Sequence, residues 1–249
     1  MNKHLFAGLA IAAAGMLGAA GPAFAYRPFD GTDASVAETG IFELEFGASR
    51  LSNGGVRSFA APAAVANFGL AGDTELVIEG RVDRATGETD ERYRTSLGDT
   101  AVSVKHLFRR GSLQDAEGVS IASECGILLP ELHGDTGTGL TCAGIVSQRW
   151  ELASVHVNAG LTRNRDRSNG RSLGVIVEGP ESLALRPVAE LIRDRESGEA
   201  TTRSALVGAI WKFSEELVFD LGLRHARAGA GSINEARFGL TWSIPLHKQ

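Results

Sequence analysis

Methionine is nearly missing from this chain: of 249 residues only Met1 and Met16 are methionine, and both sit near the start. Cysteine is as rare, and the pair Cys125 and Cys142 is too little for a disulfide scaffold. Past the N-terminal stretch there is no run of about 18 apolar residues, which excludes a transmembrane helix. Cationic charge is short as well. The 25 Lys and Arg against 30 Asp and Glu leave a net charge of -5, without the basic footprint that nucleic-acid binding needs. The 31 glycines follow no three-residue period, so a collagen-like rod is out. Against these absences, 43% hydrophobic residues is too apolar for a disordered chain.

The N-terminus reads as an export address. Lys3 and His4 form a basic start, Leu5 to Ala20 a soft apolar stretch, and Ala23-Phe24-Ala25 a small-residue cleavage site. The predicted division is a signal over residues 1–25, a polar leader over 26–39, and a barrel domain over 40–249. The leader, Tyr26 to Thr39, is too polar for a strand. It is expected either to enter the lumen as a plug or to lie in the periplasm.

The rest alternates with a period of two, as a strand must when one face is apolar. Phe42, Leu44, Phe46 and Ala48 oppose Glu43, Glu45 and Gly47; Leu76 and Ile78 oppose Glu75, Val77, Glu79 and Arg81; Val102, Val104, His106 and Phe108 oppose Ser103 and Lys105. The pattern returns through Val155, Leu191, Val207, Leu221 and Phe238, with weaker stretches between, and predicts twelve strands. Connections alternate between two kinds. Those around Gly69, Arg109, Gln148, Gly179 and Phe213 are mostly short, whereas those around Leu51, Arg84 to Ser96, Pro130, Arg163, Asp194 and Arg227 are longer and polar. Short turns on one side and long loops on the other, at about 19 residues per strand and connection, suit an all-β antiparallel transmembrane barrel of 12 strands.

Alternation alone leaves open which face is inside. In a soluble sandwich the apolar face is core; in a membrane barrel it meets lipid and the polar face lines the lumen. Aromatic placement favours the barrel. With the leader in the periplasm, Phe42, Phe68, Phe108, Trp150, Trp211, Phe213 and Trp242 gather at the periplasmic strand ends as an interfacial girdle. Phe59 and Tyr93 are the only good candidates for an outer girdle.

Particular residues also carry a likeness. The opening Arg27-Pro28-Phe29-Asp30-Gly31-Thr32-Asp33-Ala34, then Gly40-Ile41-Phe42-Glu43-Leu44-Glu45, Phe68-Gly69-Leu70, Leu97-Gly98-Asp99-Thr100, Gly137-Thr138-Gly139, Asn158-Ala159-Gly160, Ala189-Glu190-Leu191 and Gly239-Leu240-Thr241-Trp242 resemble a bacterial outer-membrane barrel family labelled as phenol-degradation meta-pathway proteins or transporters. The likeness spans nearly the whole mature chain. It implies a porin-like outer-membrane barrel that handles small, hydrophobic or aromatic molecules. One departure is the tail, where Pro245-Leu246-His247-Lys248-Gln249 stands in place of a terminal aromatic.

The candidate lumen lining is Glu43, Glu45, Glu75, Glu79, Arg81, Lys105, Glu124, His156, Arg186, Glu190, Asp220, Arg224, Glu235 and Arg237. Acids dominate the early strands and bases the later ones, and closure is expected to bring Glu43 and Glu45 to Arg237. Such a set makes either a polar conduit or an ion-paired filling, since twelve strands fall between solid eight-stranded barrels and open 16-stranded ones. Cys125 and Cys142 flank the Pro130 to Gly139 loop symmetrically and face each other in a regular hairpin, which predicts a disulfide in an oxidising compartment. A one-residue slip would instead leave two separate thiols.

Ser154, His156 and Asn158 invite a hydrolase reading. Residues two apart on a strand are about 6.6 Å apart in rise, too far for a nucleophile to reach its base, so a serine from a neighbouring strand is required. No catalytic residue is assigned. The other histidines, His106, His133, His225 and His247, lack metal-ligand spacing, and no metal or cofactor is expected. The basic stretch Arg163 to Arg171 suits lipopolysaccharide phosphates or plain solvation. Expected partners are outer-membrane lipid and lipopolysaccharide, the barrel-assembly machinery and an unidentified small solute, with no nucleic acid. The functional expectation is a passive outer-membrane channel. The alternatives are a filled barrel with a structural or surface role, a barrel-bound lipid hydrolase, and a soluble periplasmic binding sandwich.

Overall fold

The structure, a computed structural model, describes residues 28–53, 56–86 and 95–246. The signal over 1–25, the leader's first two residues and Tyr93 lie outside the described residues. Twelve strands follow in order: β1 (Ile41–Asn53), β2 (Val56–Leu70), β3 (Thr74–Thr86), β4 (Thr95–Arg109), β5 (Ser120–Leu128), β6 (Gly139–Arg149), β7 (Ser154–Arg163), β8 (Asn169–Glu178), β9 (Leu185–Glu196), β10 (Thr202–Lys212), β11 (Leu217–Ala228) and β12 (Gly231–Pro245). Each pairs antiparallel with its sequence neighbours, and β12 returns to β1 to close the barrel, with Ile41 opposite Pro245 and Asn53 opposite Ile233. The even count brings the start of β1 and the end of β12 to one rim, here called the near end.

Side-chain burial decides between sandwich and barrel. In β6 the buried positions are Gly139, Thr141, Ala143, Ile145 and Ser147, while Leu140, Cys142, Gly144 and Val146 are exposed. The inversion is general: Leu161, Leu191 and Val207 are 69%, 65% and 61% exposed, whereas Glu124, His156 and Glu190 are 3%, 2% and 2% exposed. A soluble sandwich would do the reverse. A belt of this size is stable only against lipid, so the polar face is the inside of the barrel.

Several strands run past the point where alternation fades. β1 continues to Asn53 and β12 begins at Gly231, so strand pairing runs into both of the connections expected around Leu51 and Arg227. Ladder hydrogen bonds do not need an apolar face once the strand has left the hydrocarbon, which is why polar Ser49, Arg50 and Ser52 remain paired to Arg237, Ala236 and Asn234. The β4–β5 connection is more than a plain turn: it carries a 3-10 turn at Ser112–Gln114. In β2, Pro62 sits at a register shift between Ala60 and Ala63, where its missing N–H breaks no regular ladder bond.

The core of this molecule is its lumen. One apolar cluster joins Phe29, Ile176, Val188, Leu206 and Ile210, with Val218 packed on it. A second joins Ala34, Leu107, Ala122 and Ile145, with Val36 and Leu113 against it. The leader contributes to both, Phe29 to the first and Ala34 and Val36 to the second.

Candidate functional site

The leader runs inside the barrel. At the near end the Gly40 N–H donates to the Gly69 carbonyl at 3.1 Å, and Gly40 takes φ +80° to make the corner. A Cβ on Gly69 would lie 1.9 Å from the Glu38 carbonyl oxygen, so only glycine lets the leader pass over β2 here. From that rim the segment climbs the lumen, and five of its backbone N–H groups, those of Asp30, Gly31, Thr32, Ala34 and Ala37, are taken by wall side chains. The Ala37 N–H donates to Glu75 of β3. Ala34 N–H donates to Ser147 Oγ of β6 at 2.9 Å, and Thr32 N–H to Asn158 Oδ1 of β7 at 3.1 Å. Asn158 returns a bond from Nδ2 to the Thr32 carbonyl at 2.8 Å. Gly31 N–H donates to Glu190 of β9 at 2.8 Å, and Asp30 N–H to the same carboxylate at 3.0 Å.

A buried backbone without ladder partners must find others, and here the lumen carboxylates and amides supply them. Four polar side chains of the wall, Glu75, Ser147, Asn158 and Glu190, thus act as acceptors for leader N–H groups. The 3-10 turn completes the near rim. Gln114 Nε2 donates to the Ala34 carbonyl at 3.4 Å, and Ser112 Oγ accepts from the Arg149 N–H at 2.7 Å.

The leader's own charges meet cations. Asp30 lies between Arg224 Nε of β11 at 2.8 Å and Arg237 Nη2 of β12 at 2.5 Å, and Arg237 Nη1 donates to the Pro28 carbonyl at 2.8 Å. Both arginines also face Glu235, at 3.6 Å from Arg224 and 2.9 Å from Arg237. On the other wall Lys105 of β4 donates to Thr32 Oγ1 at 3.0 Å and faces Asp33 at 3.7 Å. Lys105 stands in register between Glu75 and Glu124, so one rung reads acid, base, acid.

The remaining candidates fall on the same buried parity. Arg186 of β9 pairs with Glu178 of β8 at 2.9 Å, and Glu178 faces His156 Nε2 at 3.3 Å. Arg81 pairs with Asp83 and with Asp99, each at 2.8 Å, toward the far rim. Glu79 stands in register with Val65 and Ala101, while Asp220 is buried beside Gly239 on β12. One expectation is corrected: Glu43 and Glu45 do not meet Arg237. Closure puts them opposite Ser243 and Thr241, and Arg237 opposite Ser49. Glu43 accepts from Ser243 Oγ and Glu45 from Asn67 Nδ2, each at 2.9 Å, whereas Arg237 turns to the leader. Four residues of strand, about 13 Å of rise, separate the two groups.

Ser154 makes no contact with His156 that would serve catalysis; the serine that reaches the imidazole is Ser147, across the β6–β7 ladder, with Oγ 2.8 Å from Nδ1. Ser147, His156 and Glu178 therefore line up as a hydroxyl, imidazole and carboxylate on three adjacent strands. All three are sealed beneath the leader, at 0%, 2% and 2% exposure, and the hydroxyl is already accepting from Ala34. Through Ser147 this row of side chains holds the leader backbone at Ala34. Strand parity contained the signal for it, because Ser147 and His156 are as symmetric about the β6–β7 turn as the two cysteines are about theirs.

Cys125 and Cys142 are register partners, 4.0 Å apart at Cα, and form a disulfide. Their strand parity puts it on the outer face, alongside exposed Ile127 and Leu140. The aromatics Phe108, Trp150, Trp211, Phe213 and Trp242 are exposed at the near end, and Phe42 stacks on Phe68 with centroids 4.5 Å apart. Within the basic stretch, Arg165 folds back onto Glu131 at 3.2 Å and onto the Leu129 and Thr100 carbonyls, and Arg163 reaches Asn169 at 2.9 Å. Two of its cations are thus engaged within the protein.

Comparison with known proteins gives the fold and nothing narrower. No family model matches the chain, and no curated protein sequence matches it. Among solved structures, an outer membrane channel from Pseudomonas putida F1 aligns over 86% of this chain and 98% of its own, with 11% identity and a TM-score of 0.60. The translocator domain of the autotransporter NalP from Neisseria meningitidis aligns over 97% and 99%, with 11% identity and a TM-score of 0.58. The KdgM porin aligns over 80% and 99%, with 12% identity and a TM-score of 0.55. Closed strand order, inverted burial and these likenesses together make the chain a twelve-stranded barrel of the outer-membrane kind.

Proposed function

We propose that the protein is a passive outer-membrane channel for small organic solutes, closed at rest by its own leader. The observation that carries this reading is how the leader is held: by hydrogen bonds and ion pairs from β3, β4, β6, β7, β9, β11 and β12, with no strand pairing to the wall among its described residues. A structural filler needs only shape. Here charged and amide side chains stand ready to solvate a passing solute once the segment moves. The near end is the periplasmic side and the far end the cell surface, with lipid and lipopolysaccharide around the wall and the barrel-assembly machinery inserting it. The likeness in motif to the phenol-degradation barrel family suggests aromatic solutes, and the presence of a porin and an outer membrane channel among the structural neighbours supports a channel role.

The second reading, a filled barrel without transport, is favoured by the two apolar clusters that lock Phe29 and Ala34. Single-channel recording in planar bilayers separates the two. The channel reading expects discrete, infrequent openings from the wild type and frequent ones from Asn158→Ala, which removes two leader bonds. Silence from both leaves the filled barrel.

A further inference from the structure

We infer that the Arg224–Arg237 pair is a carboxylate site of the lumen, and that Phe29-Asp30 of the leader is an internal ligand standing in for a small aryl carboxylate. The inference deepens the channel reading and rests on it for its biological use.

Three observations converge. First, two guanidinium groups from adjacent strands close on a single carboxylate, at 2.8 and 2.5 Å, and Arg237 alone adds a bond to the Pro28 carbonyl at 2.8 Å. Planar guanidinium donors match a carboxylate as few other groups do. Second, the charge balance is local. Arg224 and Arg237 face Asp30 and Glu235, so two cations meet two anions. Withdrawing Asp30 leaves Glu235 as the one carboxylate in ion-pair contact with the two arginines among the described residues, with Glu190 and Asp194 further off, and a buried cation that loses its contact partner is strongly unfavourable. The leader therefore leaves readily only when another anion arrives. Third, the residue before Asp30 is aromatic and has its own slot, Phe29 being packed among Ile176, Val188, Leu206, Ile210 and Val218. An aromatic group in an aliphatic slot beside a carboxylate in an arginine fork is the outline of an aryl carboxylate such as benzoate. The opposite wall does not compete, since Lys105 already stands between Glu75 and Glu124.

The test reads seating of the leader without needing current. Thr32 is 1% exposed, and the natural cysteines are bonded to each other, so a Thr32→Cys chain kept without reductant offers one protected thiol. Its maleimide labelling is followed in the folded, full-length protein, checked by heat-modifiable gel mobility. Ala37→Cys serves as a second reporter should the first not fold. Benzoate is expected to raise the labelling rate saturably, by tenfold or more; acetate less at equal concentration; neutral benzamide and sodium chloride at equal strength not at all. With Arg237→Gln added, the basal rate rises and benzoate no longer changes it. With Asp30→Asn, labelling is fast with no carboxylate present. Equal effects of benzoate and benzamide, or benzoate acceleration that survives Arg237→Gln, would overturn the site. Single-channel recording of Asp30→Asn is scored separately. Benzoate-driven labelling without current keeps the carboxylate site and removes the channel reading, whereas current without any benzoate response does the reverse.

Discussion

Asn158 and Thr32 exchange two hydrogen bonds, the side-chain amide accepting from the Thr32 N–H at 3.1 Å and donating to its carbonyl at 2.8 Å. A wall side chain thereby treats the leader as a ladder partner would. Asn158→Leu keeps the volume and removes both bonds, leaving a buried N–H and carbonyl unpaired at about 1–3 kcal/mol each. Amide exchange over the leader is expected to speed by at least tenfold while the barrel strands stay protected. Unchanged leader exchange would show that the apolar clusters alone hold it.

Gly69→Val tests the corner from outside the lumen charges. Any Cβ there meets the Glu38 and Ala37 carbonyl oxygens at 1.9 and 2.6 Å, so the leader must shift off β2. Limited proteolysis is expected to cut the leader in the variant and spare it in the wild type, with barrel gel mobility the same in both.

Val207→Arg asks what the exposed belt faces. Val207 is 61% exposed at mid-strand in β10. In water such a change stays within about 0.5 kcal/mol, whereas at a bilayer midplane it costs roughly 2–4 kcal/mol. Reversible denaturation in lipid vesicles gives the answer, and a near-zero change would argue that lipid does not contact β10 there.

Replacing both Cys125 and Cys142 by Ala opens a loop closed across a sequence separation of 17. The entropy of a loop this size is on the order of 3 kcal/mol, so the denaturation midpoint should fall measurably. Conductance should not change, because the bond lies on the outer face. A shifted conductance would mean that the β5–β6 hairpin shapes the lumen.

Ser147, His156 and Glu178 make the catalytic reading testable. Wild type and Ser147→Ala are expected to leave a chromogenic ester at the blank rate, even with Asp30→Asn added to loosen the leader. Serine-dependent turnover in the loosened background would reinstate hydrolysis as the activity.

Much of the fold was legible because a closed barrel has one rule, parity, and parity is written in single residues. Val102, Val104 and Phe108 against Ser103 and Lys105 needed nothing else. Strand ends were not legible, because at Asn53 or Gly231 backbone pairing persists after the side chains cease to alternate. In the site, sequence showed the charges and not their partners. Arg237 and Glu45 both lie on closing strands, but what separates them is the β1–β12 register, which sets Glu45 opposite Thr241 and Arg237 opposite Ser49, and no single residue announces that register. The apolar lumen was missed for a different reason. Ile145, Ile176 and Leu206 sit on strands whose outer faces are also apolar, so their alternation is faint, and only the leader's Phe29 and Ala34 explain why the wall there is greasy.

The outward-facing disulfide implies a chronology. Forming it requires a thiolate, which hydrocarbon disfavours, and a soluble oxidant, which lipid excludes. The bond between Cys125 and Cys142 is therefore made before the bilayer surrounds β5 and β6. Those two strands then meet lipid already joined and held in register at Cys125 and Cys142.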